Sequence, residues 1–285
     1  MDWVIVIPSY NRVNTLKEKT LAVLSQYKIP KSKIYVFVAN KEQETLYKEL
    51  KDDVGHIVVG VKGLAEVRNF IFDYFPKGKR LVFMDDDVRS LIEFDGAAKR
   101  HEQPLRSLTT VINKGFAECE KANARLWGVY PVPNGFFMKD TVTTDLRFII
   151  GSFWGCLNPG SELKLKFGSE KEDYQRTLQF WEADGVVVRL NFVAPKTAYY
   201  KEPGGMQDDG MEARVAKQKA AVALMIKRWP QYIKMNPRRK SGYPEILLMK
   251  PSAKGSKGSK GSKGSKGKAS TAKLPKVKVN KTRRL

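Results

Sequence analysis

Leu81-Val82-Phe83-Met84-Asp85-Asp86-Asp87-Val88 is an apolar run of strand character that stops on three consecutive carboxylates. A buried strand cannot hold three adjacent negative charges unpaired, so they must emerge at its end and meet a cation, a donor network or water. Asp85 and Asp87 lie two apart. Where extended chain gives way to a turn, such a pair can converge on one hard divalent ion, with phosphate oxygens and water completing the shell. The same triplet also suits a surface turn whose acidic residues cap a following helix, for which Ser90 to Phe94 is available.

Upstream of the triplet, Trp3-Val4-Ile5-Val6-Ile7 is a continuous apolar, β-branched run, as expected of a strand buried on both faces of a parallel sheet. It ends in Pro8-Ser9-Tyr10-Asn11-Arg12. Leu16, Thr20, Leu21, Leu24 and Tyr27 then recur at helical spacing, with Asn14 as the expected cap and Pro30 beyond the end. Ile34 to Ala39 reads as a second strand, Glu42 to Leu50 as a short helix, His56 to Val59 as a third strand and Leu64 to Phe75 as a helix leading to the strand that ends at Asp85. This βαβαβαβ order implies right-handed crossovers and a doubly wound α/β sheet. Ligands of such sheets sit outside the carboxyl ends of the strands, where both Pro8 to Arg12 and Asp85 to Asp87 fall.

A chain of 285 residues with 42% hydrophobic content can bury a full core. Charge is the outlier, with 52 basic residues against 30 acidic and a net charge of +22. Thirteen of the basic residues lie from Lys250 onward, where no acidic residue occurs, leaving 39 against 30, or +9, on residues 1–249. A polyanionic partner is implied, nucleic acid before an anionic membrane surface. Cys119 and Cys156 form neither a metal-type cluster nor a disulfide framework, which suits a reducing compartment. No secretory signal and no run of membrane-spanning length is found, so a cytoplasmic location, the host cytoplasm for a viral protein, is expected. His56 and His101 have no metal-like spacing.

Three stretches taken together, Val4 to Arg12, Gly63-Leu64-Ala65-Glu66-Val67-Arg68-Asn69 and Phe83 to Asp87, resemble the nucleotide-sugar half of glycosyltransferases with the GT-A fold. Within that group the chain most resembles the TET-associated glycosyltransferases, which include the enzyme completing base J and phage relatives acting on hydroxymethylated pyrimidines in DNA. The resemblance covers residues 1 to about 249 and is strongest in the first 90. It implies a GT-A-like doubly wound mixed sheet with flanking helices, a nucleotide-sugar half at 1–95 and an acceptor half at 96–249. It further implies that Pro8, Ser9, Tyr10, Asn11 and Arg12 contact the uracil and ribose of a UDP-sugar, with Tyr10 available for stacking and Asn11 for hydrogen bonds. Arg68 and Asn69 would reach the nucleotide from their helix, Arg68 as a positive charge near the diphosphate. Asp85 and Asp86 would border the donor, and Asp85 with Asp87 would hold Mn²⁺ or Mg²⁺.

In the second half, Leu91 to Ala98 and Leu105 to Asn123 hold helical stretches, the latter with Leu108, Val111, Ile112, Phe116 and Cys119 on one face. Leu126 to Gly155 places many aromatics among Gly and Pro breaks and reads as β-hairpins and loops. Those aromatics serve core packing or stacking on an extruded base. Ser169 with Glu172 forms a capping box opening a helix that carries Tyr174, Leu178 and Trp181 on one face and closes at Gly185. Glu172 therefore has a capping reading beside a catalytic one. The Glu172-Asp173 pair looks like that of inverting enzymes of this fold, whose Asp deprotonates the acceptor hydroxyl, and Asp173 is the expected general base. Val186 to Leu190 returns to strand. A glycine pair borders the donor site in the resembling family, and Gly204-Gly205 stands near that place, with a simple Pro-Gly turn as the alternative. Arg214 lies on a helix from about Asp209 to Trp229 and is a further donor-site candidate.

From Lys254 the chain repeats Lys-Gly-Ser to Lys266 and continues lysine-rich to Arg283-Arg284. Residues 250–285 read as a disordered basic tail that binds phosphate backbones without sequence preference. The expected activity is metal-dependent, inverting transfer of a hexose, glucose in the first instance, from a UDP-sugar to the hydroxymethyl group of 5-hydroxymethylcytosine or 5-hydroxymethyluracil in double-stranded DNA, by a monomer. A non-DNA acceptor, or a non-enzymatic DNA-binding role on the same scaffold, are the alternatives.

Overall fold

The structure is a computed structural model that describes residues 1–197, 211–237 and 244–249, excluding the side chains of Met211, Glu212 and Arg214. Gly204, Gly205 and the basic tail lie outside the described residues. Those described all belong to one compact unit, Met1–Pro251.

The first half follows the βαβ reading. β1 (Trp3–Pro8), β2 (Ile34–Val38), β3 (His56–Val59) and β4 (Arg80–Met84) are mutually parallel, in the spatial order β3-β2-β1-β4. Trp3, Ile5 and Ile7 enter one apolar cluster while Val4 and Val6 enter another. Strand side chains alternate between faces, so a continuous apolar run is what a sheet covered on both sides requires. The connection after β1 holds α1 (Val13–Leu16), a π-turn (Lys17–Leu21) and α2 (Ala22–Gln26), and buries Leu16, Thr20, Leu21 and Leu24. Asn14 does not cap it, because Arg12 occupies the N-cap position and no side chain bonds there. α3 (Lys41–Tyr47) is capped by Asn40, and α4 (Leu64–Tyr74) begins after Gly63, whose φ of 104° favours a residue without Cβ.

The second half widens the sheet. β9 (Phe153–Leu157) enters antiparallel between β4 and β7 (Leu126–Val129), then β10 (Val188–Leu190) lies parallel to β7 and the short β8 (Val142–Thr143) antiparallel at the edge. The result is an eight-stranded mixed sheet with flanking helices, the architecture that the GT-A resemblance implies. Leu126 to Gly155 is accordingly not a set of hairpins. β7 and β9 do pair antiparallel with each other, but across a long connection, and each has a second partner remote in sequence, β10 and β4; buried Trp154 stacks on Phe83 of β4 at 4.0 Å between ring centroids.

Ser90 to Phe94 is a strand, β5, not a helix, and Leu91 to Ala98 is likewise not helical. β5 pairs antiparallel with β6 (Glu102–Pro104) and with β11 (Val193–Lys196), about a hundred residues away, forming a separate three-stranded sheet. α5 (Leu108–Ala122) buries the expected face of Leu108, Val111, Ile112, Phe116 and Cys119. α6 (Glu172–Asp184) ends at Gly185 as expected, and α7 (Met211–Arg228) stops before Pro230. β12 (Ile233–Met235) and β13 (Ile246–Leu248) form a two-stranded ribbon. The capping box at the start of α6 is absent. Lys171, at φ 56°, is the N-cap without a side-chain bond, while Ser169 accepts a hydrogen bond from the Ala65 N–H (3.0 Å) and so caps α4, whose own N-cap is glycine. Among the described residues no helix is long and apolar enough to cross a membrane.

Candidate active site

β2 and β3 lie on one side of β1 and β4 on the other, so the chain reverses its winding between β1 and β4 and leaves a crevice at their carboxyl ends. A cavity of about 640 Å³ occupies it, lined among others by Pro8, Ser9, Tyr10, Arg12 and by Asp85, Asp86 and Asp87. Phe167 to Glu170, ahead of α6, and Lys217, Ala220, Ala221 and Leu224 of α7 complete the wall. The two turns singled out in the sequence therefore face one space.

They are also bonded to each other. Ser9 donates to Asp86 (2.7 Å), Arg12 pairs with the other Asp86 oxygen (3.1 Å), and the buried Tyr47 hydroxyl meets Ser9 Oγ (2.7 Å) while accepting from the Arg12 N–H (3.1 Å). Burial pushes the Asp86 carboxyl up against the pull of Arg12 and Ser9. Asp86 is thus a brace between the two turns. Thr20, fully buried in the π-turn, donates to the Asp85 carbonyl (2.7 Å) and accepts from the Val88 N–H (3.0 Å), holding the triplet loop from behind. Insertions of π geometry recur at functional positions. Tyr10 lines the cavity with Lys62 Nζ 5.1 Å from its ring centroid. Asn11, in contrast, is exposed at φ 54°, exchanges two hydrogen bonds with Gln43 (2.9 and 2.6 Å) and is not part of the lining.

Neither Arg68 nor Asn69 lines the cavity. Arg68 is 2% exposed and is held by Asp85 (3.2 Å), by the Gly151 carbonyl (3.1 Å) and by Glu172, so its charge lies directly behind the carboxylate end of the cavity without lining it. Asn69 grips both backbone groups of Leu165 (2.9 and 2.7 Å) and fixes the segment leading to α6. Glu172 is also buried. One carboxylate oxygen meets Arg68 and the other Arg176 (2.8 Å), whose guanidinium lies 3.9 Å from the centre of the Trp154 ring. Burial opposes the charge on Glu172, but Arg176 and Arg68 outweigh it and hold the carboxyl below the ordinary range. With both oxygens engaged, Glu172 anchors two arginines and is not placed to take a proton. A Cβ at Gly151 would fall 2.9 Å from Glu172 Oε1, so this close approach needs glycine.

Asp173, next along α6, is half-buried, and burial with the neighbouring Glu172 charge pushes its carboxyl up to about 6. A carboxylate so poised can exchange a proton near neutrality. It is not part of the cavity lining but follows directly on the Phe167 to Glu170 segment that is.

The donor set at the cavity suits a divalent cation. Asp85 and Asp87 supply hard oxygens, 37% of the Asp85 side chain stays open, and withdrawal from bulk water with crowding by Asp87 and Asp86 pushes its carboxyl up to about 7 despite Arg68. Among the described residues no three His, Cys, Asp or Glu side chains form a metal set, so a cation here would draw its other ligands from phosphate and water, as Mg²⁺ does in nucleotide sites.

Sequence reasoning missed Thr20 as a loop holder, Tyr47 and Gln43 as the supports of the first turn, and the α7 wall. Thr20 alone carried a signal, a β-branched hydroxyl within an apolar helical stripe.

No protein-family model matches the chain, and no curated protein does. Solved structures do. The chain is similar to S. aureus TarS 1-349 in complex with UDP (13% identity, 81% of this chain and 72% of that one, TM-score 0.43). It is also similar to the mannosyltransferase PcManGT from Pyrobaculum calidifontis in complex with GDP-Man and Mn²⁺ (13%, 79% and 64%, TM-score 0.44). A third match is glucosyl-3-phosphoglycerate synthase from Mycobacterium tuberculosis with Mg²⁺ and UDP (10%, 87% and 86%, TM-score 0.45).

Proposed function

We propose that the chain is an inverting glycosyltransferase that moves a sugar from a UDP-sugar to the hydroxymethyl group of a modified pyrimidine in DNA. The observation that carries the reading is the meeting of Ser9, Tyr10 and Arg12 with Asp85 and Asp87 in one cavity at the switch point of the sheet. Tyr10 and the apolar wall accept the uridine, and the carboxylate end faces the diphosphate. A divalent cation bound by Asp85 and Asp87 would neutralise charge on the departing diphosphate. Asp173 takes the proton of the acceptor hydroxyl as its oxygen attacks the anomeric carbon. The new C–O bond forms as the bond to the diphosphate breaks, and UDP leaves with the bonding electrons from the opposite face. Arg68, Glu172 and Arg176 keep the elements carrying Asp85 and Asp173 in register.

The acceptor assignment is supported by charge. A net +22, with +9 on residues 1–249 and an unbroken positive tail, suits a polyanion that neutral small acceptors do not resemble. The test is incubation with a panel of UDP-sugars and DNAs carrying 5-hydroxymethylcytosine or 5-hydroxymethyluracil, followed by nucleoside mass spectrometry. A mass gain of one hexose on the modified nucleoside, β-linked from an α-linked donor, is expected. Donor hydrolysis with no DNA product, or an α-linked product, refutes the reading.

A further inference from the structure

Arg189 is a buried cation that makes no ion pair among the described residues. It sits within β10, is 9% exposed, and donates from Nε to Asn191 (2.8 Å) and from Nη1 to the Phe148 carbonyl (3.4 Å). Asn191 is itself buried and fixed by Thr141 and Thr143 (3.2 and 3.3 Å), so the guanidinium is aimed by neutral groups. Burial, and next the charge of Arg147, push Arg189 down to about 10. Asp145, the acid nearby, is paired with Arg147 at 2.8 Å. Two arginines near one carboxylate leave an excess positive charge, and its buried member, Arg189, is held by neutral groups alone, a costly arrangement unless an outside anion completes it.

The position of this excess charge is informative. β10 runs parallel to β7, and Tyr130 directly follows the last β7 residue, so the Arg189 guanidinium, 5.2 Å from the Tyr130 ring centre, leans toward the carboxyl edge that carries the cavity. Phe148, whose carbonyl holds Arg189, is three residues from Gly151, whose carbonyl holds Arg68 beside Asp85. That stretch of chain spans no more than about 10 Å. The Phe148 ring also lies 4.5 Å from that of Tyr174, the residue after Asp173. The arginines are therefore joined to the two carboxylate elements through one short stretch of chain: Phe148 touches the residue after Asp173, and Gly151 holds the arginine beside Asp85.

We propose that Arg189 and Arg147, beside Tyr130, form a phosphodiester site that grips the acceptor strand at a linkage flanking the modified base. The site rests on the DNA-acceptor reading and deepens it. Two guanidinium groups suit the paired oxygens of a phosphodiester, and a grip on a linkage beside the modified base would fix which base presents its hydroxyl.

The test uses the full chain and a duplex oligonucleotide with one hydroxymethylated pyrimidine, either all-phosphodiester or with a single uncharged methylphosphonate on its 5′ or 3′ side. Binding is read by fluorescence anisotropy at fixed salt, and transfer by mass spectrometry. The wild type should lose roughly 10- to 100-fold in affinity for one of the two methylphosphonate duplexes, the scale of a charge-assisted contact. Arg147→Gln and Arg189→Gln should lose affinity for the all-phosphodiester duplex and lose nothing further with that methylphosphonate. Should Arg189→Gln fail to fold, Arg189→Lys, which keeps the charge but not the fork, and the half-exposed Arg147→Gln carry the same comparison, with thermal melting as the fold control. Additive losses, or no effect at either linkage while DNA is still glycosylated, overturn the phosphodiester site and leave the acceptor reading standing. No transfer to any modified DNA by the wild type overturns the acceptor reading and this site with it.

Discussion

Replacing Glu172 by Gln separates an anchoring role from a catalytic one. The wild-type carboxylate is 5% exposed and divides its oxygens between Arg68 and Arg176, whose side chains are 2% and 3% exposed. In Glu172→Gln, Arg68 keeps Asp85 and the Gly151 carbonyl, while Arg176 is left with the Ile149 carbonyl (3.0 Å) and the Trp154 ring. Removing one member of a buried ionic set costs about 3–5 kcal/mol, because the remaining charge stays desolvated. For a folded unit of this size the melting temperature should fall by on the order of 10 °C, given about 2–4 °C per kcal/mol. Urea unfolding at pH 7 should show the same loss as a lower midpoint at unchanged slope. Glu172→Leu combined with Arg176→Met should recover part of the stability, since the apolar pair removes two of the three buried charges while Arg68 keeps Asp85 and the Gly151 carbonyl. A Glu172→Gln protein within about 1 kcal/mol of wild type, with turnover down by the 10²–10⁴ of a lost general base, would refute the assignment and make Glu172 the proton acceptor.

The complementary substitution, Asp173→Asn, should lower turnover by about 10²–10⁴-fold with donor affinity retained, and wild-type turnover should fall as pH drops through about 6; near-normal turnover in Asp173→Asn moves the base elsewhere. Chelation should abolish transfer and Mn²⁺ or Mg²⁺ restore it, whereas full activity of Asp87→Ala in chelator sinks the metal assignment. Because the Asp85 carboxyl is raised from 3.8 to about 7, the folded state binds more protons than the unfolded one in that window. Stability in chelator should therefore decline as pH rises from about 4 to about 7, a slope that urea titrations at several pH values measure and that added divalent cation should flatten. Truncation before Lys254 should weaken DNA binding and reduce its salt slope while leaving UDP-sugar hydrolysis unchanged; an unaltered slope would assign binding to the folded surface alone.

The alternation of Trp3 to Ile7 between two clusters shows why the first half was legible. Its strands are mostly apolar runs, and β1, β2 and β3 pair in sequence order while β4 returns to β1 within the same half. Asp85 to Asp87 and Ser9 to Arg12 were locatable because a strand's carboxyl end is where such residues must surface. Ser90 to Phe94 was not legible as a strand, since a five-residue apolar segment has no decisive period and its partner, Val193 to Lys196, lies far along the chain. Ser169 carried a true capping signal that was attached to the wrong helix: the hydroxyl satisfies the Ala65 N–H in place of its own α6. Arg68 and Asn69 were locatable but their protein partners were not, because sequence marks a polar side chain without saying that it meets Asp85, Glu172 or a carbonyl such as Leu165 O. Which of Glu172 and Asp173 remains accessible depends on Arg176, four residues on, and no spacing rule ranks the two.

Thr20 ties the triplet loop to a helix 65 residues earlier through one hydroxyl that both gives and receives a hydrogen bond. The carboxylate end of the cavity is thus inherited in two pieces, one on each side of β2 and β3. A chimera joining the first thirty-odd residues of this chain to the remainder of a relative would keep every strand pairing of the sheet and could still misplace Asp85, unless the relative's loop were shaped for the same hydroxyl. Recombination within this fold is constrained by that hydroxyl together with the Ser9 and Arg12 bonds to Asp86, and a crossover beyond Val88 avoids the conflict by carrying both pieces together.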